Sequence, residues 1–98
     1  MSTEGRFKVN TAENQYEYHV GEHMAFLEYI KEPNKIFFVH TEAPEELQGT
    51  DAAAKLVESA LQHAKDNNLA VVPSCTYVAN YINKHPEWYS VLSEGYQM

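Results

Sequence analysis

Along the first third of the chain, apolar side chains recur at every second position. Phe7 and Val9 alternate with Arg6, Lys8 and Asn10, and after a turn over Thr11 to Asn14 the same period resumes in Tyr16, Tyr18 and Val20. A period of two places each set on one face of a strand, so these segments predict a hairpin of two half-buried strands. From His23 to Ile30 both sets are apolar, with Ala25, Leu27 and Tyr29 opposing Met24, Phe26 and Ile30. That pattern predicts a strand further inside the sheet, ended by Pro33 and Asn34. Ile36 to Val39 is apolar throughout and reads as a central strand covered on both faces.

The period then changes. After a polar loop from Thr41 to Gly49 that holds Pro44, Ala53, Leu56, Val57, Ala60, Leu61 and Ala64 recur at three and four residues. They form the stripe of a helix from about Asp51 to Asp66, with Thr50 as its N-cap and Asp51 at the positive end of its dipole. Asn67 and Asn68 stop that helix, and Ala70, Val71 and Val72 form a short buried strand broken at Pro73. Tyr77 to Asn83 returns to helical spacing through Val78, Tyr81 and Ile82. His85 and Pro86 open a last short helix or turn around Trp88, Val91 and Leu92. An antiparallel strand meander, a helix, a further strand and a terminal helical piece make an α+β class.

Composition narrows the partners. The 98 residues suit a single domain over 1–98. Fourteen acidic against seven basic side chains give a formal charge of -7, which opposes nonspecific capture by nucleic acid or an anionic membrane. The basic residues Arg6, Lys8, Lys31, Lys35, Lys55, Lys65 and Lys84 are scattered rather than patched, so no nucleic acid partner is expected. No apolar run approaches the roughly 20 residues of a membrane span, and Met1 to Arg6 lacks the basic and then apolar order of a leader, so no membrane partner and a cytoplasmic location are expected. Cys75 is the single cysteine, which rules out an internal disulfide and a cysteine-built zinc site. His19, His23 and His63 lack ligand spacing to a carboxylate partner, and no metal is expected.

Two segments carry candidate chemistry. Gln48, Gly49, Thr50, Asp51 and Ala52 lie between the central strand and the long helix, where a glycine with positive φ and a helix start behind it suit a phosphate. Taken alone, Gly49 is better read as a structural turn, since many strand-to-helix loops contain one glycine. The glycine series of a dinucleotide fingerprint and the lysine of a P-loop are absent, and Asp51 puts a negative charge where phosphates would sit. Cys75 follows a short strand and stands at the start of the next helix, where a thiol becomes a nucleophile if His40 or His85 lies near; the alternative is a buried, inert cysteine. His40 ends the central strand and is the best histidine for a general base. His85 before Pro86 also serves simply to order that turn. Tyr77, Tyr81, Trp88 and Tyr89 suit either a pocket lining or packing of the terminal helix on the sheet. Glu45 and Glu46 either attract a cationic amine or belong to a solvated loop. A thiol hydrolase built on Cys75 and His40 would need a third orienting residue and an oxyanion site, neither of which spacing supplies.

Four pieces in order connect the chain to a known family: His40-Thr41-Glu42-Ala43-Pro44, then Leu47-Gln48-Gly49 leading into Ala53-Ala54-Lys55-Leu56-Val57, then Val72-Pro73-Ser74-Cys75-Thr76-Tyr77-Val78, and finally Tyr81-Ile82-Asn83-Lys84-His85-Pro86. From about Phe7 to Leu92 the chain resembles the small, stand-alone GCN5-related N-acetyltransferase-like (GNAT-like) proteins. The resemblance implies an abbreviated, mixed and mainly antiparallel sheet flanked by helices, with acetyl-CoA as cofactor and an amine acceptor of unidentified nature. It implies that the loop at Gly49 and the following helix start, from Gln48 through Thr50, Asp51 and Ala52 to Ala53, hold the pyrophosphate of acetyl-CoA or CoA, and that Tyr77, Tyr81 and His85 line the remaining cofactor site. His40 and Cys75 are then the catalytic candidates near the thioester, and backbone N–H groups from Val39 to Thr41 polarise its carbonyl. Direct attack by an amine and an acetyl-Cys75 intermediate are both open. Members of the family commonly carry a glycine or another small residue where this chain has Asp51, so a CoA-binding or interaction module of weak or lost activity is the alternative. The short chain leaves an open site, a bulky acceptor or a homodimer that completes the cleft.

Overall fold

The computed structural model describes residues 5–92. Met1 to Glu4 and Ser93 to Met98 lie outside the described residues, and with them most of the segment on which the leader expectation rests. Five strands form one sheet in chain order: β1 (Arg6–Asn10), β2 (Gln15–Val20), β3 (His23–Lys31), β4 (Lys35–Glu42) and β5 (Ala70–Pro73). The first three junctions are antiparallel. β5 lies parallel to β4, which the long return through α1 (Ala52–Asp66) makes possible. α2 (Thr76–Lys84) and a 3₁₀ stretch over Pro86–Val91 complete an α+β fold with a mixed, mainly antiparallel sheet.

α1 forms where the three-and-four spacing places it. Leu56, Val57, Ala60, Leu61 and Ala64 are buried, and Ala52 rather than Ala53 completes the row at its N-terminal end. Thr50 acts one position before the cap, its Oγ1 accepting the Ala52 N–H at 3.2 Å while Asp51 occupies the cap itself. At the other end Asn68 turns left-handed at φ 57°, and its N–H reaches the Lys65 carbonyl. The Leu69 N–H reaches the Ala64 carbonyl at 2.8 Å, closing the helix in a Schellman arrangement with the Leu69 side chain buried behind it.

The apolar row of α1 packs on one face of the sheet, against Tyr16, Leu27, Ile36 and Phe38. Tyr16 is the hub: its ring lies 4.9 Å from Tyr29, 5.5 Å from Phe7 and 5.8 Å edge-on from Phe38. Its hydroxyl sits 3.0 Å from His63 Nδ1 on α1, so the polar end of a fully enclosed side chain is satisfied by the helix that covers it. Burial, with Tyr29 adding to it, raises the Tyr16 pKa and keeps that hydroxyl protonated.

β3 stands in the middle of the sheet, as its pattern predicts, but among the described residues no helix covers the opposite face, which corrects the expectation of a β4 covered on both faces. β3 and β4 are buried on one face only: Ala25, Leu27, Tyr29, Ile36 and Phe38 are enclosed, while Met24, Phe26 and Phe37 are half-buried and Ile30 and Val39 are exposed. A sheet of this length has one long helix to spend, so apolar residues on its second face shield one another rather than entering a second core. The polar loop is also shorter than expected, because β4 runs on to Glu42 and Glu45–Leu47 winds into a 3₁₀ turn that buries Leu47.

Candidate active site

β4 changes the side of its side chains midway. Tyr29 of β3 stands opposite Phe38, and the next residue back, Glu28, stands opposite His40, leaving Val39 as an extra residue in a β-bulge. Before the bulge Ile36 and Phe38 face the helices. After it Thr41, opposite the buried Leu27, faces them, while His40 and Glu42 turn to the open face with Phe26.

On the other edge of β4, pairing with β5 ends at Phe38 opposite Pro73. Proline there has no N–H to continue the ladder. The last tie is the Cys75 N–H to the Phe38 carbonyl at 2.8 Å, after which the chain leaves the sheet plane and α2 begins at Thr76. Among the described residues, no strand lies beside this edge of β4 from Val39 onward, so the bulge opens into a wedge between β4 and the start of α2. Cys75 caps α2 at the apex, buried, with Sγ 3.3 Å from Thr41 Oγ1.

The structure therefore brings Val39, Thr41 and Cys75 to one wedge and sends His40 to the opposite face of the same strand. His40 is exposed, with its ring 6.1 Å from Phe26 and Nε2 4.0 Å from Glu42. His85 closes the far end of α2, stacked on Tyr81 at 4.1 Å with Nδ1 donating to the Tyr81 carbonyl. Neither histidine meets the thiol; the hydroxyl of Thr41 does.

A cleft of about 420 Å³ lies between the first two turns of α1 and α2, lined by Ala54, Lys55, Glu58, Tyr77, Tyr81 and Lys84 among others. Burial raises the Tyr77 pKa, and burial together with the charges of Glu58 and Glu87 outweighs the Trp88 indole to push Tyr81 up to about 12. Both hydroxyls therefore keep their protons at neutral pH and are available as hydrogen-bond donors.

The loop at Gly49 leads directly into α1, whose Ala54, Lys55 and Glu58 line the cleft. Gly49 has φ 80°, which suits glycine, and a Cβ added there would meet nothing within 4 Å, so the space over the turn is open. Gln48 and Thr50 flank it, exposed, with Gln48 Nε2 donating to the Ala43 carbonyl and Thr50 Oγ1 donating to the Leu47 carbonyl. Asp51 extends its carboxylate to Lys55, Oδ2 to Nζ 3.5 Å, one helical turn on. Ala52 is fully buried and its N–H already bonded, which leaves Ala53 as the first helix residue whose N–H has no acceptor behind it within the helix.

Sequence reasoning passed over Lys55, Glu58, Asn80 and Lys84 in the cleft. A signal for two of them was present: Tyr77, Asn80, Tyr81 and Lys84 recur at three and four residues, on the face of α2 opposite the buried Val78 and Ile82. Nothing in the sequence marked Glu17, which is 5% exposed on the open face. Gln15 Nε2, Asn10 Nδ2 and His19 Nε2 reach its carboxylate at 2.6, 2.8 and 2.8 Å. Burial works to raise its pKa, and these contacts, helped by the His19 charge, prevail and hold it at about 2.

A sheet that parts after β4, a bulge at the parting and a glycine turn into the covering helix form one continuous arrangement across most of the chain. The family model of the GCN5-related N-acetyl-transferases matches residues 15–92, from the start of β2 to the end of the last helical turn, and the chain belongs to that family.

Proposed function

We propose that this N-acetyltransferase domain is a cytoplasmic, acetyl-CoA-dependent enzyme that passes the acetyl group directly to the unprotonated nitrogen of an amine. The observation that carries the reading is the wedge beyond Phe38, where β4 bulges at Val39 just as its pairing with β5 ends. When bound, acetyl-CoA supplies an acyl carbonyl activated as a thioester. Backbone N–H groups of Val39 to Thr41, on an edge freed from the ladder, polarise that carbonyl. The same edge is open to both faces, so the cofactor enters from the helix side and the acceptor from the face of His40.

His40 takes the proton of the attacking amine, and its neighbours Glu42 and Glu28 favour an acceptor that arrives as a cation. Cys75 walls the wedge. Its Sγ contacts a hydroxyl that is no base and His40 lies on the other face, which favours direct transfer over an acetyl-cysteine route. Gly49 lets the backbone approach the pyrophosphate with Gln48, Thr50 and the Ala53 N–H around it, behind the dipole of α1. Tyr77, Tyr81 and His85 line the rest of the cofactor cleft.

Asp51 is the one residue that fits poorly, and it supports a second reading, a CoA-binding interaction module with little turnover. Lys55 offsets its charge only in part across 3.5 Å at the surface. Calorimetric titration of the protein and of Asp51→Gly with acetyl-CoA and with CoA tests both readings. Saturable binding, tightened roughly threefold to tenfold in Asp51→Gly and followed by acetylation in a panel of amines, supports the enzyme. Binding without turnover supports the module. No binding to either protein at millimolar nucleotide removes both.

A further inference from the structure

The cleft between α1 and α2 holds two cations at different stations. Lys55, in the first turn of α1, stands beside the Gly49 loop and is engaged by Asp51. Lys84 stands in the last turn of α2, at i+7 from Tyr77 and so about 10 Å further along the helix. Among the described residues no carboxylate lies within 4.0 Å of Lys84 Nζ. The one carboxylate in the lining, Glu58, belongs to α1 and couples to the Tyr81 hydroxyl. Among the described residues, Lys84 is thus the cation of this cleft that has no carboxylate at ion-pair distance.

The nucleotide of CoA bears a diphosphate and, separated from it by the ribose, a phosphate monoester of charge about -1.5 to -2 at neutral pH. On a chain of formal charge -7, a further phosphate is repelled at long range, so any preference for it requires a local cation. Lys55 is committed to the end of the cleft nearest the diphosphate turn, and Lys84 is left for the second anionic group.

Building on the CoA reading above, we infer that Lys84 binds the 3′-phosphate monoester and makes the cleft discriminate CoA from dephospho-CoA. The contact is a charge-assisted hydrogen bond from a flexible ammonium, worth roughly tenfold in affinity.

The experiment is calorimetric titration of the full chain with CoA and with dephospho-CoA, repeated for Lys84→Gln and for Lys65→Gln. Lys65 lies in the last turn of α1, outside the lining of this cleft, and its replacement changes net charge by the same amount. The expected result is that the native chain binds CoA about tenfold more tightly than dephospho-CoA, that Lys84→Gln equalises the two by weakening CoA alone, and that Lys65→Gln keeps the preference. Added salt should narrow the preference. Equal binding of the two nucleotides by the native chain, or a preference that survives in Lys84→Gln, overturns the assignment while leaving the CoA cleft in place. If neither nucleotide binds, the CoA reading itself fails and the assignment falls with it. Unchanged thermal unfolding of Lys84→Gln, an exposed position, keeps a folding defect from imitating the effect.

Discussion

On the helix-covered face of the sheet Tyr16, Leu27 and Phe38 are fully enclosed, whereas on the other face of the same strands His40, Glu28 and Glu42 stand in solvent near Glu17, whose carboxylate is buried. The covered face is held by area removed from water and by ring contacts, which tolerate no gap. The open face combines half-buried apolar residues that shield one another with directed polar contacts such as those of Glu17, and it leaves side chains reachable by another molecule. The bulge at Val39 lets one strand serve both, because the extra residue puts Thr41 with Cys75 on the helix side and His40 on the solvent side. Chemistry that needs a cofactor from one direction and an acceptor from the other is possible where the two faces meet at an unpaired edge.

The comparison breaks first at the covered face. Phe38→Ala should destabilise the fold by about 4 kcal/mol, since the ring is fully enclosed and the backbone around the Cys75 tie limits collapse of the cavity. Urea unfolding followed by circular dichroism measures it, and a loss under about 1 kcal/mol would mean that α1 does not press on β4. His40→Gln should do the reverse: stability within about 0.5 kcal/mol of the native chain, with kcat for an amine acceptor down by about a hundredfold. Steady-state acetylation rates that remain at the native level would take the base away from His40.

Glu17 sharpens the contrast through pH. Its folded pKa is about 2 against 4.5 for the ordinary carboxyl, so the unfolded chain takes up the proton first as pH falls. Its stabilising contribution is full above about pH 4.5 and disappears as pH drops toward 2. Glu17→Gln, which sets an amide against donors already pointing inward, should cost about 2 kcal/mol at pH 7 and almost nothing at pH 2. Denaturant midpoints across that range decide the point, and a cost independent of pH would mean shape rather than charge is at work. The smallest effect belongs to Cys75→Ala, which should keep acetyl transfer within about threefold of native, because Thr41 and not a base stands beside the thiol. Mass spectrometry after brief exposure to acetyl-CoA, showing an acetylated chain that vanishes in Cys75→Ala together with turnover, would establish the two-step route instead.

Much of the fold was legible in residue spacing. The period of two across Phe7 to Val20 and the three-and-four spacing from Leu56 to Ala64 name their elements within a residue or two, because backbone geometry alone relates those side chains. The site was legible in part. Gly49 was marked by the change from strand to helix, and Cys75 by its place before a helix, both local signals. The relation of His40 to Cys75 was hidden, since it turns on one unpaired residue in a register that only the partner strand defines.

By itself, then, the sequence determined the order and kind of the elements, the apolar stripe of α1 and the residue types available for chemistry. These depend on the chain's own periodicity and composition. Tertiary structure alone decided which face of β3 and β4 is covered, that Glu17 is buried among three donors, that Thr41 rather than a histidine meets Cys75, and that Lys84 shares a cleft with Lys55. Each of these rests on residues distant along the chain, brought together by strand register and by the packing of α1 and α2 on one face of the sheet.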